Sequence, residues 1–178
     1  MTKASSVPVL GFVAPSGTGK TTLLTTLIST LKAAGIRVGV IKHSHHDFEI
    51  DKPGKDSFKL RAAGANQMLI ASRYRSALIT ESIDPEEDVT LQALLVQLDH
   101  KKLDLILVEG FKHEHYAKIE LFRAEVNKTP LAFSDPDIIA VATDAPQLFD
   151  DKIDCLDIND IEEVFQFILC RYQLARKK

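Results

Sequence analysis

The sequence lacks the features that mark membrane, nucleic-acid-binding or disulfide-rich proteins. Its net charge is −3, with a basic stretch only in the tail 171–178, and no apolar run approaches membrane-spanning length. Its two cysteines, Cys155 and Cys170, form no metal or redox motif and are expected to be reduced packing residues. Residues 1–6 are a short polar lead-in rather than a signal peptide. The chain is therefore expected in the cytoplasm, bound to neither nucleic acid nor a membrane.

The sequence also contains no repeat, low-complexity segment or linker, so the composition is that of an ordinary globular protein. At 178 residues, with 45% apolar and 26% charged residues, the chain is long enough to bury one core. A single domain over residues 1–178 is expected.

Apolar runs alternate with helical patterns along the chain. Strands are predicted at 7–13, 37–41, 103–108, 118–123 and 137–142, and helices at 22–34, 57–63, 88–99 and after a capping pair formed by Asn159 and Glu162. The segment 118–123 is expected to alternate between buried and exposed residues. Two further apolar runs, joined by Ser72-Arg73, predict a hairpin insertion at about 66–80. Alternating strands and helices favour an α/β fold, with a mostly parallel sheet between helices on both faces.

The segment 14–21, APSGTGKT, has the pattern of a phosphate-binding P-loop. It follows an apolar strand and opens a helix, as such a loop requires, and predicts a three-layer P-loop NTPase fold. Its backbone N–H groups and the helix N-terminus would form an anion site, with Lys20 on the outer phosphates and the Thr21 hydroxyl on Mg²⁺. Ala14 replaces the usual first glycine, so the turn should begin in an ordinary conformation. The predicted nucleotide-binding residues are Ser16, Gly17, Thr18, Gly19, Lys20, Thr21 and Thr22.

Two acidic residues are candidates for the metal site and for catalysis. Glu109 follows the apolar strand 103–108, where a carboxylate could hold Mg²⁺ through water or orient an attacking water. The alternative is a glutamate that pairs locally. Asp47 lies in the long loop 42–55, which contains three histidines, His43, His45 and His46. An Mg²⁺ contact of Asp47 is favoured over a zinc or nickel site of these histidines.

The base of the nucleotide is less well specified. Asp144 ends the strand 137–142, and its carboxylate could accept hydrogen bonds from the N1–H and N2–H₂ groups of guanine, which adenine lacks. The Asn-Lys-x-Asp signature of many GTP-binding proteins is absent, so an ordinary turn aspartate before Pro146 stays open.

Several motifs together resemble one family. They are the P-loop, KHSHHDFEIDKPGKDS (42–57), RAAGA (61–65), LILVEGFK (105–112) and KIELFR (118–123). These segments closely resemble the MobB family of molybdopterin-guanine dinucleotide biosynthesis adapter proteins, over residues 8 to 145. The region after about Pro146 carries no matching motif.

The resemblance implies a GTP- and Mg²⁺-binding adapter and a homodimer, with the hairpin region at the interface. It implies work beside the guanylyltransferase that joins GMP to molybdopterin, and weak GTPase activity at most. Lys20 and Thr21 match the family's phosphate and Mg²⁺ positions, Asp47 its acidic loop and Glu109 its second acidic anchor.

Two other classes of function stay open at this point. One is a P-loop small-molecule kinase or ligase, and the other is a metallochaperone GTPase that uses the histidine-rich loop. No arginine finger is evident, although Arg61, Arg73 or Arg75 could act across a dimer.

Overall fold

The computed structural model describes residues 7–44, 48–82 and 89–176, and within them the chain forms eight strands and four α-helices. The strands are β1 (Val9–Val13), β2 (Val38–Lys42), β3 (Gln67–Ala71), β4 (Ser76–Thr80), β5 (Leu105–Glu109), β6 (Lys118–Phe122), β7 (Ile138–Thr143) and β8 (Asp154–Asp157). The helices are α1 (Lys20–Ala33), α2 (Asp56–Ala62), α3 (Leu91–Leu95) and α4 (Ile161–Tyr172). They are joined by turns and short 3₁₀ segments.

The chain divides into two compact units, one of residues 1–43 and 90–178 and one of residues 44–89. The first contains a six-stranded sheet in the order β2-β5-β1-β6-β7-β8, and all its neighbouring strands are parallel. The predicted α/β class with a mostly parallel sheet is confirmed. The second unit contains the hairpin β3–β4 and α2, and the insertion predicted at about 66–80 lies inside it. The single domain stays a prediction.

The sheet of the first unit packs between two apolar clusters. Leu10 and Phe12 of β1 belong to the larger cluster, which contains the buried faces of α1 and α4. On the other face, Ile106 and Val108 of β5 pack with Leu91 of α3. Because side chains alternate along a strand, β5 feeds both clusters and all its apolar residues are buried. The predicted three-layer arrangement is confirmed.

β6 differs from the predicted alternation, because all five of its residues are buried. The Lys118 ammonium donates to the carbonyl of Glu114 at 2.7 Å and lies 3.1 Å from a carboxylate oxygen of Asp135. The Glu120 carboxylate accepts the N–H groups of Leu131 and Ala132 at 2.9 and 2.8 Å. Burial raises the pKa of Glu120, and these two donors oppose that rise. Because Lys118 and Glu120 have these partners, both can be buried at positions where the sequence pattern indicated exposure.

The connection from β5 to β6 passes over β1, the strand between them, at Gly11. The two strands are parallel neighbours of β1, yet residues 110–117 join them without a helix, whereas such crossovers usually need a dozen residues or more. The Tyr116 side chain lies over β1 there, and Lys118, the first residue of β6, is paired with Gly11. A Cβ on Gly11 would be 2.6 Å from the Tyr116 ring and 2.8 Å from Lys118 Cγ. Glycine is therefore required because the crossing chain occupies the space of a side chain.

Several element boundaries differ from the predictions. The helix expected at 88–99 is the short α3, with Thr90 as its N-cap, and Asp88 lies outside the described residues. Asp160 rather than Asn159 caps α4, because its carboxylate accepts the N–H groups of Glu162 and Glu163. The edge strand β8 was not predicted.

Two smaller expectations concern the hairpin and the cysteines. Residues 72–75 form the hairpin turn, which is longer than the two residues expected, since Ser72 and Arg75 bond each other across it. Cys170 is exposed rather than packed, and Cys155 is half-buried. No helix among the described residues has the length and apolar character needed to cross a bilayer.

Candidate functional site

The turn between β1 and α1 has the geometry of an anion site. Gly17 and Gly19 have φ angles of +86° and +94°, which residues with a Cβ rarely adopt. Ala14 is not among the residues with positive φ, as expected from the sequence. Gly19 is the N-cap of α1, which has no side-chain cap and no acidic residue in its first turn. The first N–H groups of the helix are thus left for a ligand.

Thr18 holds this turn in place rather than facing a ligand with its side chain. It is 1% exposed, and its hydroxyl donates to the Pro15 carbonyl at 3.1 Å. The same hydroxyl lies 3.4 Å from Oδ1 of the buried Asn127. The Thr18 hydroxyl is therefore used within the protein, which leaves its backbone as the part that could meet a ligand.

Lys20 and Glu109 come together, as the sequence predicts for a nucleotide site. The Lys20 ammonium donates to the Ala14 carbonyl at 3.3 Å and lies 3.7 Å from Glu109 Oε1. The other oxygen of Glu109 accepts from the Lys42 ammonium at 3.0 Å. One carboxylate thus lies between two lysines, at the carboxyl ends of β1, β5 and β2.

The other nominated residues of the turn are exposed at the start of α1. Ser16, Gly17, Thr21 and Thr22 are all open to solvent. The Thr21 hydroxyl and the Glu109 carboxylate are both oxygen ligands of the kind Mg²⁺ prefers. The uncapped helix start, Lys20, Thr21 and Glu109 therefore fit a magnesium–nucleotide ligand, in which the ion would neutralise phosphate charge.

A cavity of about 420 Å³ adjoins the turn on its β6 side. Its walls come from the start of α1 and from the residues that follow β6 and β8: Thr18, Gly19, Thr22, Leu23, Thr26, Arg123, Ile158, Asn159 and Ile161. Apolar walls with a few polar groups are typical of small-molecule pockets. This cavity could hold the nucleoside part of a nucleotide.

Arg123 contacts three separate parts of the chain on this side of the site. Its Nε donates to the Thr18 carbonyl at 3.3 Å and its Nη2 donates to Asn159 Oδ1 at 2.9 Å. Its Nη1 lies 3.4 Å from Asp144 Oδ2, and the other Asp144 oxygen accepts the N–H of Ala124 at 3.1 Å. Asp144 thus has local partners and is not among the cavity-lining residues, so its role as guanine reader stays a prediction.

The histidine-rich loop gives no metal site among the described residues. His45, His46 and Asp47 lie outside those residues, so the Mg²⁺ contact proposed for Asp47 stays a prediction. The His43 ring stacks on Phe111, with ring centroids 4.6 Å apart, and the backbone N–H of His43 donates to the Glu109 carbonyl at 2.8 Å. No group of three or more possible metal ligands occurs in the described parts of the chain.

Three polar residues of the site were not assigned a role from the sequence. Lys42 and Arg123 each stand at the carboxyl end of a parallel strand, the same signal that identified Glu109. Asn127 was not recognisable, because its partner Thr18 lies 109 residues away in the chain. Of the candidate arginines, Arg61 is engaged by Glu49 and Glu81 within the second unit.

Comparisons with known proteins agree with these features. The family model "Molybdopterin guanine dinucleotide synthesis protein B" (MobB) matches residues 9–144. The chain is 53% identical over 170 residues to the molybdopterin-guanine dinucleotide biosynthesis adapter protein of Escherichia coli (strain K12), covering 95% of both chains. It is 46% identical over 164 residues to the protein so named of Haemophilus influenzae (strain ATCC 51907 / DSM 11121 / KW20 / Rd), covering 92% of this chain and 89% of the other.

A solved structure gives the same result. The crystal structure of molybdopterin-guanine biosynthesis protein B (mobB) superposes with a TM-score of 0.71 and 27% identity, covering 93% of this chain and 99% of the other. From the family model, the full-length relatives and this superposition, the chain belongs to the MobB family.

Proposed function

We propose that the chain is a GTP-binding adapter protein that assists the attachment of GMP to molybdopterin to form molybdopterin guanine dinucleotide. The observation that carries this proposal is the uncapped start of α1 with Lys20 beside Glu109, in a chain that matches an adapter protein of that name over 95% of its length. Its partner would be the guanylyltransferase of this reaction, with molybdopterin as a possible further ligand, in the cytoplasm. Matches of that extent do not favour the alternatives of a small-molecule kinase or a metallochaperone.

The nucleotide would be held as its Mg²⁺ complex. Lys20 and the first N–H groups of α1 would bind the phosphates, and Thr21 and Glu109 would face the ion. Fast hydrolysis usually needs an arginine that stabilises the charge of the transition state. Hydrolysis would be slow here, because the described cations that contact Glu109 are the lysines Lys20 and Lys42. The guanidinium of Arg123 is bonded to Thr18 on the β6 side instead. The chain would therefore act as an adapter or switch rather than as an efficient GTPase.

The base preference supplies the first test. We expect GTP to bind at least about tenfold more tightly than ATP. Asp144→Asn is expected to bring the ratio of the two affinities towards one, because the amide has an N–H donor where the carboxylate has a second oxygen to accept from guanine. Competition of both nucleotides against a fluorescent GTP analogue, with Mg²⁺ present, measures the ratio.

Asp99→Asn is a matched control for this change. Asp99 lies before the amino end of β5, away from the nucleotide edge of the sheet, and should leave the ratio unchanged. Equal affinities of the wild-type chain for ATP and GTP would contradict the proposal of a GTP-binding adapter.

The second unit supports a homodimer. None of the described residues 48–82 is buried, and α2 has no buried side chain. A two-stranded hairpin is only marginally stable without a further apolar surface against it. Leu69 and Leu78 face each other across the hairpin and are 66% and 55% exposed. A second copy of this chain, as the family resemblance implies, would cover these leucines.

Leu69→Asp is therefore expected to weaken self-association by about tenfold or more, because a charge replaces an apolar side chain that would be buried between the copies. Sedimentation equilibrium measures the dissociation constant of the dimer. Val96→Asp is the control, since Val96 is a highly exposed apolar residue of the first unit. A wild-type chain that sediments as a monomer at tens of micromolar would refute the dimer.

A further inference from the structure

Lys42 is held at the phosphate edge of the sheet by a built arrangement. It is the last residue of β2 and lies directly beside Glu109, the last residue of the neighbouring β5. The next residue, His43, is fixed by its hydrogen bond to the Glu109 carbonyl and by its stacking on Phe111. The Lys42 side chain is 59% exposed, whereas those of Glu109 and Lys20 are 16% and 20% exposed. Lys42 is thus the most accessible of the three charged groups.

The charges of these three side chains do not balance. The single carboxylate of Glu109 faces the ammonium groups of Lys20 and Lys42, which leaves one positive charge in excess. Lys20 already belongs to the phosphate-binding turn. The second ammonium is therefore available to an additional anionic group close to the one that Lys20 binds.

The sheet order indicates which group of a nucleotide would reach Lys42. The cavity that could hold the nucleoside lies on the β6 side of β1, and Lys42 lies on the opposite side, beyond β5. A nucleotide with its nucleoside in the cavity and its phosphates on the turn would extend its phosphate chain towards β5. The last phosphate would be nearest to Glu109 and Lys42.

We infer that Lys42 is a second phosphate-binding cation of this site, which contacts the terminal phosphate of a nucleoside triphosphate and distinguishes it from a diphosphate. This inference rests on the proposed GTP binding. Entry of the terminal phosphate transfers the Lys42 ammonium from Glu109 to the ligand, and a diphosphate leaves the Lys42–Glu109 pair intact.

The test compares the dissociation constants of GTP and GDP by isothermal titration calorimetry with Mg²⁺ present. Lys42→Met is expected to lower the preference for GTP over GDP about tenfold, through weaker GTP binding at nearly constant GDP binding. Lys42→Arg keeps the charge and should keep most of the preference. Lys32→Met, in the last turn of α1, removes the same charge roughly 18 Å along the helix and should not change it.

The outcomes distinguish a failure of this inference from a failure of the proposed GTP binding. Equal weakening of GTP and GDP by Lys42→Met, or no change of either, overturns the role of Lys42 and leaves GTP binding in place. A wild-type chain that binds neither nucleotide overturns both. Where thermal melting shows that Lys42→Met does not fold, the same measurements on Lys42→Gln decide.

Discussion

Replacing Lys20 with alanine is expected to weaken GTP binding by about 100-fold or more. A charge-assisted hydrogen bond contributes about 1.5–3 kcal/mol, and Lys20 would bridge more than one phosphate oxygen. The substitution also changes the balance at Glu109, which would keep only Lys42 as its cation. The three side chains would then fall from one net positive charge to none, so phosphate would lose electrostatic attraction as well as its direct partner.

Equilibrium binding of a fluorescent GTP analogue measures this effect, with circular dichroism as the check on folding. Lys32→Ala is the matched control, because it lies on the same helix and is exposed at the far end. Its affinity should stay near that of the wild-type chain. Micromolar GTP affinity that survives Lys20→Ala unchanged would remove the phosphate-site assignment and, with it, the mechanism proposed for the adapter.

Gly11→Ala is expected to destabilise the fold by about 2–3 kcal/mol, as overpacking of a dense interior does. The new methyl group would collide with the Tyr116 ring and with Lys118 Cγ. Neither neighbour can easily withdraw. The Tyr116 hydroxyl donates to the Gly110 carbonyl at 2.7 Å, and the buried Lys118 ammonium donates to Glu114. The change would therefore disturb the whole crossing between β5 and β6.

Gly39→Ala provides the comparison on β2, which lies beyond β5 in the same sheet. A Cβ there would also meet a close atom, Leu103 Cδ1 at 2.7 Å, but this atom is the end of a flexible side chain. Because alanine also suits a strand better than glycine, we expect a cost below about 1 kcal/mol. Urea unfolding of both variants measures the difference. Equal costs would show that the crossing at Gly11 is not the source of the strain.

The elements that the sequence predicted well are those with a strong local pattern. β5 is an apolar run that ends at Glu109, and both the strand and the position of the carboxylate beside Lys20 are as expected. The glycines of the phosphate turn have the conformations that their positions require. In these cases neighbouring residues carry the information, so no knowledge of distant contacts is needed.

The elements that were missed depend on distant partners. Lys118 and Glu120 resemble the exposed positions of an alternating strand. Their burial depends on Asp135 and the Glu114 carbonyl for Lys118, and on the N–H groups of Leu131 and Ala132 for Glu120. β8 contains aspartates at both ends, which disfavour a strand locally, and it is held at the edge of the sheet by β7.

The candidate site shows the same division. Its phosphate side was predictable from the turn and from the rule that polar residues at the carboxyl ends of parallel strands face a ligand. Its cavity side depends on Arg123, whose partners Thr18, Asp144 and Asn159 come from three other parts of the chain. No spacing within the sequence indicates that these residues meet.

The order of the strands has a consequence for how the protein is made. β1 lies between β5 and β6, and β2 pairs with β5, so among the described strands neither β1 nor β2 has a sheet partner until residues 105–109 have been synthesised. A nascent chain leaves the ribosome from its N-terminus, and long-range parallel pairing forms slowly. A product that terminates before Leu105 would therefore carry the entire glycine-rich motif without the strands that shape it. Such fragments would be substrates for chaperones and proteases rather than competitors for nucleotide.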